Sequence, residues 1–249
     1  MIELIILSSK MPYLSKIYLK DNHPQDFPFS LPFIRNGLDI RLKSNVTFFV
    51  GENGIGKSTL LEAIADKCNF NVAGGNRNHN YDFHKTESML SEYLTLSWHH
   101  KTSQGFFMRA ESFFNFATYI DEVAEEDQRV LEAYGGKSLH QQSHGEAFLS
   151  LFHNHFQHGI YILDEPEAAL SPQRQLSLLS IIHKLEKTGR AQFIISSHSP
   201  ILMSYPTAEI YLLDDKIQKI HYKETEHYQL TKNFLEAPER YFQHLFEDL

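Results

Sequence analysis

Residues 51–59 read GENGIGKST and fit the phosphate-binding loop pattern G-x-x-x-x-G-K-[ST] at every fixed position. The flanks supply the context that such a loop needs. Before it, Val46, Thr47, Phe48, Phe49 and Val50 form a short run of β-branched and aromatic residues with the character of a buried strand. After it, Leu60, Leu61, Ala63, Ile64 and Ala65 carry a helical pattern. A strand, a glycine-rich turn and a helix in that order point to an α/β chain built on a largely parallel sheet.

The residue types suit an anion. Gly51, Gly54 and Gly56 let the backbone turn tightly around Asn53, so that successive N–H groups face one point. The helix starting near Lys57 aims its positive end at the same point. Lys57 has the reach for β- and γ-phosphates, the Ser58 hydroxyl suits Mg²⁺, and Thr59 suits a cap or an α-phosphate contact.

Two further strands end in chemistry. Residues 159–163, GIYIL, deliver Asp164 and Glu165 before Pro166 breaks the pattern, which is how a strand end holds Mg²⁺ and polarises a water. Residues 191–197, AQFIISS, deliver His198, whose imidazole suits contact with a terminal phosphate. Ser143 and Gly145 precede the apolar run 147–152 and resemble a second anion-binding helix start; an ordinary N-cap is the plain alternative.

The ordered set GENGIGKST, QSHGE, YILDEPEAALSP and ISSHSP, covering residues 51–200, resembles the ABC-type ATPases. The SHGE form of the signature places the resemblance in the non-transporter branch, near small stand-alone bacterial ATPases related to chromosome-maintenance and recombination-repair heads. GFFMRAESFF, ALSPQRQL and the C-terminal TEHYQLT add to it. The resemblance implies an α/β P-loop fold with an antiparallel N-terminal subdomain, Mg²⁺-dependent ATP hydrolysis and an ATP-sandwich homodimer. Lys57, Ser58, Asp164, Glu165 and His198 of one subunit would then face Ser143 and Gly145 of the other, with Glu146 beside them. DNA or a protein would be the partner of a nucleotide-driven clamp or switch in genome maintenance or defence. The alternative is the ATP-binding subunit of a membrane transporter.

Several positions depart from that pattern. Ser171 follows Leu170 where the family carries an acid. In the strand 105–111, Arg109 stands near the place of an expected glutamine, with Glu111 able to orient it; a plain strand-end salt bridge fits equally, and Gln104 is the other source of an amide. The segment between Lys57 and Ser143 lacks sustained heptads, which excludes long coiled-coil arms. Its expected content is a polar loop at 74–80 and helices at 87–98 and 111–134, forming an insertion over about 75–145 within a single domain, 1–249.

Adenine recognition is open among Phe27, Phe29 and Phe33, for which core packing is the competing role. His153, His155 and His158 do not share a helical face, so a solvated face is the preferred reading over a metal site. Residues 209–213 and 216–220 read as strands and 225–249 as two helices, the second opening near Pro238. Glu224, Glu226 and His227 offer metal-ligand types, but helix capping is the preferred reading over a metal site.

Composition limits the partners. With 31 acidic against 23 basic residues the net charge is −8, which disfavours general coating of nucleic acid or anionic lipid. A single cysteine, Cys68, excludes an internal disulfide framework. No apolar run approaches the about 20 residues that span a bilayer, and residues 1–7 resemble a strand; a cytoplasmic protein is expected.

Overall fold

The computed structural model describes residues 11–71, 89–134, 136–141, 144–154 and 158–246. In chain order, β1 (Leu14–Leu19), α1 (Pro32–Arg35) and β2 (Asp39–Arg41) lead to β3 (Val46–Val50) and α2 (Lys57–Lys67). Next come α3 (Met89–Tyr93), β4 (Leu94–Trp98), β5 (Gly105–Arg109), α4 (Phe113–Glu126) and α5 (His144–Asn154). Then follow β6 (Gly159–Asp164), α6 (Pro172–Lys187), β7 (Ala191–Ser196) and α7 (Pro200–Met203). The chain closes with β8 (Glu209–Leu213), β9 (Ile217–Ile220), α8 (Glu226–Glu236) and α9 (Pro238–Leu245).

The larger sheet has the order β5-β6-β7-β3-β8-β9, parallel throughout except for the hairpin between β8 and β9. Strand alternation divides its side chains between two cores. Phe48, Phe106, Tyr161, Leu163, Phe193 and Ile195 pack on one face together with α4, α5 and α6. Phe49, Phe107, Ile160, Ile162 and Ile194 pack on the other with α2 and the N-terminal sheet. Both faces being covered explains why these strands read as continuous apolar runs.

The second sheet, β2-β1-β4, is antiparallel, as expected for the N-terminal subdomain. It corrects the helix predicted over 87–98. Among the described residues of that span only Met89–Tyr93 is helical, and Leu94–Trp98 pairs with β1, placing Leu96 opposite Ile17. Leu94, Leu96 and Trp98 alternate with Thr95 and Ser97, so the two-residue period prevails once β1 supplies a partner. The span expected to form an insertion is mixed among its described residues: two strands precede α4, and the helix expected over 111–134 ends at Glu126 and continues as a 3₁₀ segment over Gln128–Tyr134.

Phe29 and Phe33 are 1% and 0% exposed, which gives them the packing role and removes them as base-stacking candidates; Phe27 is exposed. The strand expected at 1–7, the polar loop expected at 74–80, Ser143 and His155 lie outside the described residues. None of the helices among the described residues is long and apolar enough to cross a membrane.

Candidate functional site

The parallel register brings β3, β6 and β7 to one edge with their carboxyl ends side by side. The phosphate loop follows β3, Asp164 closes β6, and Ser196 closes β7 opposite Asp164. On the far side of β6, Arg109 at the end of β5 is also in register with Asp164. Gln104 sits at the other end of β5, where its carbonyl accepts from Ile160 N–H, and so it cannot supply an amide to this edge.

Within the loop, Gly56 at φ 106° starts α2, and Gly51 at φ 152° passes so close to the Leu213 carbonyl that a Cβ there would overlap it. Asn53 and Gly54 are exposed, while Ser58 and Thr59 are half-buried on the first turn of α2. Lys57 is buried at 4% exposure, and its ammonium donates to the carbonyls of Gly51 at 2.8 Å and Glu52 at 3.0 Å. Burial lowers the Lys57 pKa, against the opposing pull of Glu165, Asp164, Glu52 and Glu167. A loop lysine folded onto its own carbonyls holds a positive charge where an anion would exchange for them.

Asp164 is 2% exposed. Its Oδ1 accepts from Ser196 Oγ at 2.5 Å, and its Oδ2 lies 3.4 Å from Arg109 Nε. The same guanidinium donates to Glu62 at 2.7 Å and lies 3.5 Å from exposed Glu111. Glu62, one turn along α2 from Ser58, is held above its ordinary pKa by burial, with Arg109 opposing. Arg109 and Glu111 therefore take the ion-pair arrangement, extended by Glu62 and Asp164.

Glu165 adopts the left-handed conformation, φ 48° and ψ 53°, uncommon for a residue with a Cβ. This turn aims its carboxylate at His198, with Oε1 3.3 Å from Nε2. The alignment falls short of a hydrogen bond, leaving His198 Nε2 buried and unpaired. The other ring nitrogen, Nδ1, lies 2.6 Å from His227 Nε2 at the start of α8. Glu167 accepts from the His198 backbone N–H at 2.5 Å, and burial pushes its carboxyl up.

Sequence reasoning missed Glu62, Glu167 and His227 as members of this edge. Glu167 lies within the YILDEPEAALSP run with no role assigned to it there, and Glu62 is signalled only by closeness to the phosphate loop. Of the capping trio, Glu224 does complete a capping box with His221, and Thr225 caps α8, but His227 turns toward His198. A cavity of about 220 Å³ lies next to the loop between Gly51, Glu52, Ile55, Leu213, Glu224 and His227.

Gly145 and Glu146 lie in α5, and Ser171 lies at the start of α6. Gly145 is buried in the first turn of α5, where a Cβ would collide with Arg174. Glu146 pairs with that arginine at 3.2 Å. Ser171 is exposed at the N-cap position of α6 without making a side-chain cap bond.

Two family models match. One, described as an AAA domain, putative AbiEii toxin, type IV toxin–antitoxin system, covers residues 139–204, and the other, described as an AAA domain, covers residues 29–105. No curated protein matches the sequence. Among solved structures, cbiO1 from Clostridium perfringens, part of the ABC transporter complex cbiONQ, is 18% identical, with 95% of this chain and 99% of that chain covered and a TM-score of 0.48. The SMC head domain from Thermotoga maritima is also 18% identical, covering 84% and 98%, with a TM-score of 0.46. An SMC head bound to the C-terminal winged-helix domain of ScpA is 15% identical, covering 84% and 98%, and its TM-score of 0.50 supports a shared fold. The fold is thus one shared with an SMC head, mixed α/β with a mostly parallel six-stranded sheet and a separate antiparallel one.

Proposed function

We propose that this protein hydrolyses ATP with Mg²⁺ and that ATP closes two copies into a sandwich. The observation that carries the reading is the convergence of Lys57, Asp164, Glu165 and His198 at one sheet edge beside a glycine-rich helix start. Phosphates entering the loop take over the Lys57 ammonium from the Gly51 and Glu52 carbonyls and meet the N–H groups at the start of α2.

Among the described residues no group of three His, Cys, Asp or Glu gathers as a metal cage. Mg²⁺ needs no such cage, because it is commonly held by one or two protein oxygens together with substrate phosphates. Ser58 and the buried, oriented Asp164 fit that demand and would hold it. Bound there, Mg²⁺ would neutralise charge on the β- and γ-phosphates. Glu165 accepts hydrogen bonding and then a proton from the attacking water, and His198 Nε2 offers its unpaired position to the terminal phosphate.

The signature helix start has no phosphate in its own subunit, so Ser143 and Gly145 of a second copy complete the site in the sandwich. The closed dimer acts as a clamp or switch in DNA maintenance or defence. The defence half draws support from the matched model described as a putative toxin of a type IV system.

Solution mass of wild type and Glu165→Gln, without nucleotide, with Mg²⁺-ATP and with Mg²⁺-ADP, tests the reading. A dimer of the variant only with ATP, and a wild type that releases phosphate and returns to monomer, is the expected result. A mass that ignores ATP makes Ser143 and Gly145 an ordinary helix start and removes the sandwich.

A further inference from the structure

His227 lies in the C-terminal TEHYQLT segment, outside the phosphate loop and the two strand-end motifs, and its ring contacts His198 on the Nδ1 side. The two nitrogens, His198 Nδ1 and His227 Nε2, stand 2.6 Å apart, with ring centroids 4.5 Å apart and planes at 60°. At that separation one nitrogen carries the proton and the other accepts it. We propose that His227 is a positioning residue for His198: it donates its Nε2–H to His198 Nδ1 and so fixes the tautomer whose N–H lies on Nε2, facing Glu165 and the terminal phosphate. The proposal rests on the reading of His198 as the phosphate-contacting residue.

The direction of the bond follows from the other side of the ring. His198 Nε2 faces Glu165 Oε1 at 3.3 Å, where a bare nitrogen lone pair would meet a carboxylate oxygen and be repelled. Nε2 therefore carries a hydrogen. Burial, then Lys57 and His227, push the His198 pKa below its ordinary 6.5, so at neutral pH the ring holds one hydrogen. With that hydrogen on Nε2, Nδ1 is bare and His227 has to be the donor.

The element that carries His227 is built to hold it there. Thr225 is 3% exposed; its hydroxyl donates to Tyr222 O at 2.7 Å and accepts from Tyr228 N–H at 3.3 Å, fixing the first turn of α8 around His227. Beyond this turn α8 and α9 bury no side chain. The histidine pair is thus one contact by which α8 reaches the strand end that carries His198. A second-neighbour partner that sets tautomer and ring orientation is the arrangement that makes a histidine a directed donor.

The test uses the full chain. In nucleotide-free protein with ¹⁵N-labelled histidine, His198 should be a single Nε2–H tautomer in wild type and a mixture in His227→Ala, assigned by the signal lost in His198→Gln. His227→Ala should lower kcat roughly tenfold to hundredfold while KM for ATP stays within about twofold. His227→Gln, whose amide retains a donor at similar reach, should recover turnover to within about threefold of wild type and checks that lost activity is not lost folding. In a His198→Ala background, His227→Ala should cost less than about twofold more, because the two act as one unit.

An Nδ1–H tautomer in wild type, unchanged turnover in His227→Ala, or losses that add fully with His198→Ala would overturn the proposal. The expected tautomer combined with wild-type turnover in His198→Ala would overturn the phosphate-contact reading alone, and would support the hydrogen bond.

Discussion

The Ser196 hydroxyl donates to Asp164 Oδ1 at 2.5 Å, across neighbouring strands in paired register. The same residue receives the Glu165 backbone N–H, at 3.1 Å on its Oγ and 3.2 Å on its carbonyl. One serine on β7 thus fixes both acidic residues at the end of β6. It occupies one Asp164 oxygen, leaving Oδ2 toward Arg109 at 3.4 Å, and sets where the Glu165 turn begins.

Ser196→Ala should therefore separate metal handling from nucleotide affinity. Leaving the buried Asp164 oxygen without its donor costs about 1–3 kcal/mol of stability. The Mg²⁺ concentration for half-maximal turnover should rise severalfold, while ATP binding through Lys57 and the loop changes less. Phosphate release against Mg²⁺ at saturating ATP, with a thermal melt beside it, checks this; an unchanged Mg²⁺ midpoint would place the cation away from Asp164.

Glu165 is held in a conformation that costs a non-glycine residue about 1–2 kcal/mol. Glu165→Gly removes that strain but adds back about 0.5–1 kcal/mol of unfolded-chain freedom. The net expectation is a variant more stable than wild type by up to about 1 kcal/mol, with turnover down at least about a hundredfold. Denaturant midpoints and phosphate release measure the two sides. Lower stability with retained turnover would show that neither the strain nor the carboxylate has this role.

The pH dependence has a definite sign. The His198 pKa lies below its ordinary 6.5, through burial and then Lys57 and His227, with Glu165 opposing. Between the folded value and 6.5 the unfolded chain binds more protons, so this stability is fully present above 6.5 and is lost as pH falls. Glu62 and Glu167 act oppositely: burial raises both above 4.5, so their contribution falls as pH rises through that window. The difference between wild type and His198→Gln isolates the histidine. Wild type should lose stability relative to the variant on going from about pH 7.5 to about pH 5. A flat difference would mean that His198 titrates alike in both states.

Much of this edge was legible because its residues are tied to local pattern. The strand before the loop, the loop glycines and the runs ending at Asp164 and His198 announce themselves over a few positions each. What stayed hidden depends on long-range pairing. Arg109 faces Asp164 through strand register rather than spacing, and that register also moves Gln104 to the opposite end of β5. Leu94–Trp98 became a strand because β1, far away in sequence, offered its edge. His227 comes within 2.6 Å of His198 only after the β8–β9 hairpin returns the chain. Its neighbours carry ordinary capping signals, and nothing local marked it as a partner of His198.

Cys68, at the end of the helix that follows the loop, is 6% exposed, and burial pushes its thiol up to about 12. Relative to the ordinary value of 9.0, its thiolate population is reduced about a thousandfold. The native protein should resist alkylation, and labelling should follow opening of α2. ATP should slow it further by binding the start of that helix. Rapid labelling of native protein, unaffected by ATP, would show that this end of α2 opens independently of the loop.

Gly145 is the position where a small change should reach the dimer while sparing the single subunit. A Cβ there overlaps the Arg174 side chain, at 2.7 Å from Cδ, and stands 3.2 Å from the Ala169 carbonyl. Arg174 is half-buried and paired with Glu146, so it can swing outward at modest cost. Gly145→Ala should therefore fold and bind ATP, but carry a displaced arginine on the surface that would cap the partner's phosphate. In the Glu165→Gln background, the protein concentration for ATP-dependent dimerisation should rise at least about tenfold, equivalent to about 1.4 kcal/mol. Sedimentation with Mg²⁺-ATP measures it, and nucleotide binding by the monomer serves as the folding control. An unchanged dimer midpoint would place this helix start outside the interface.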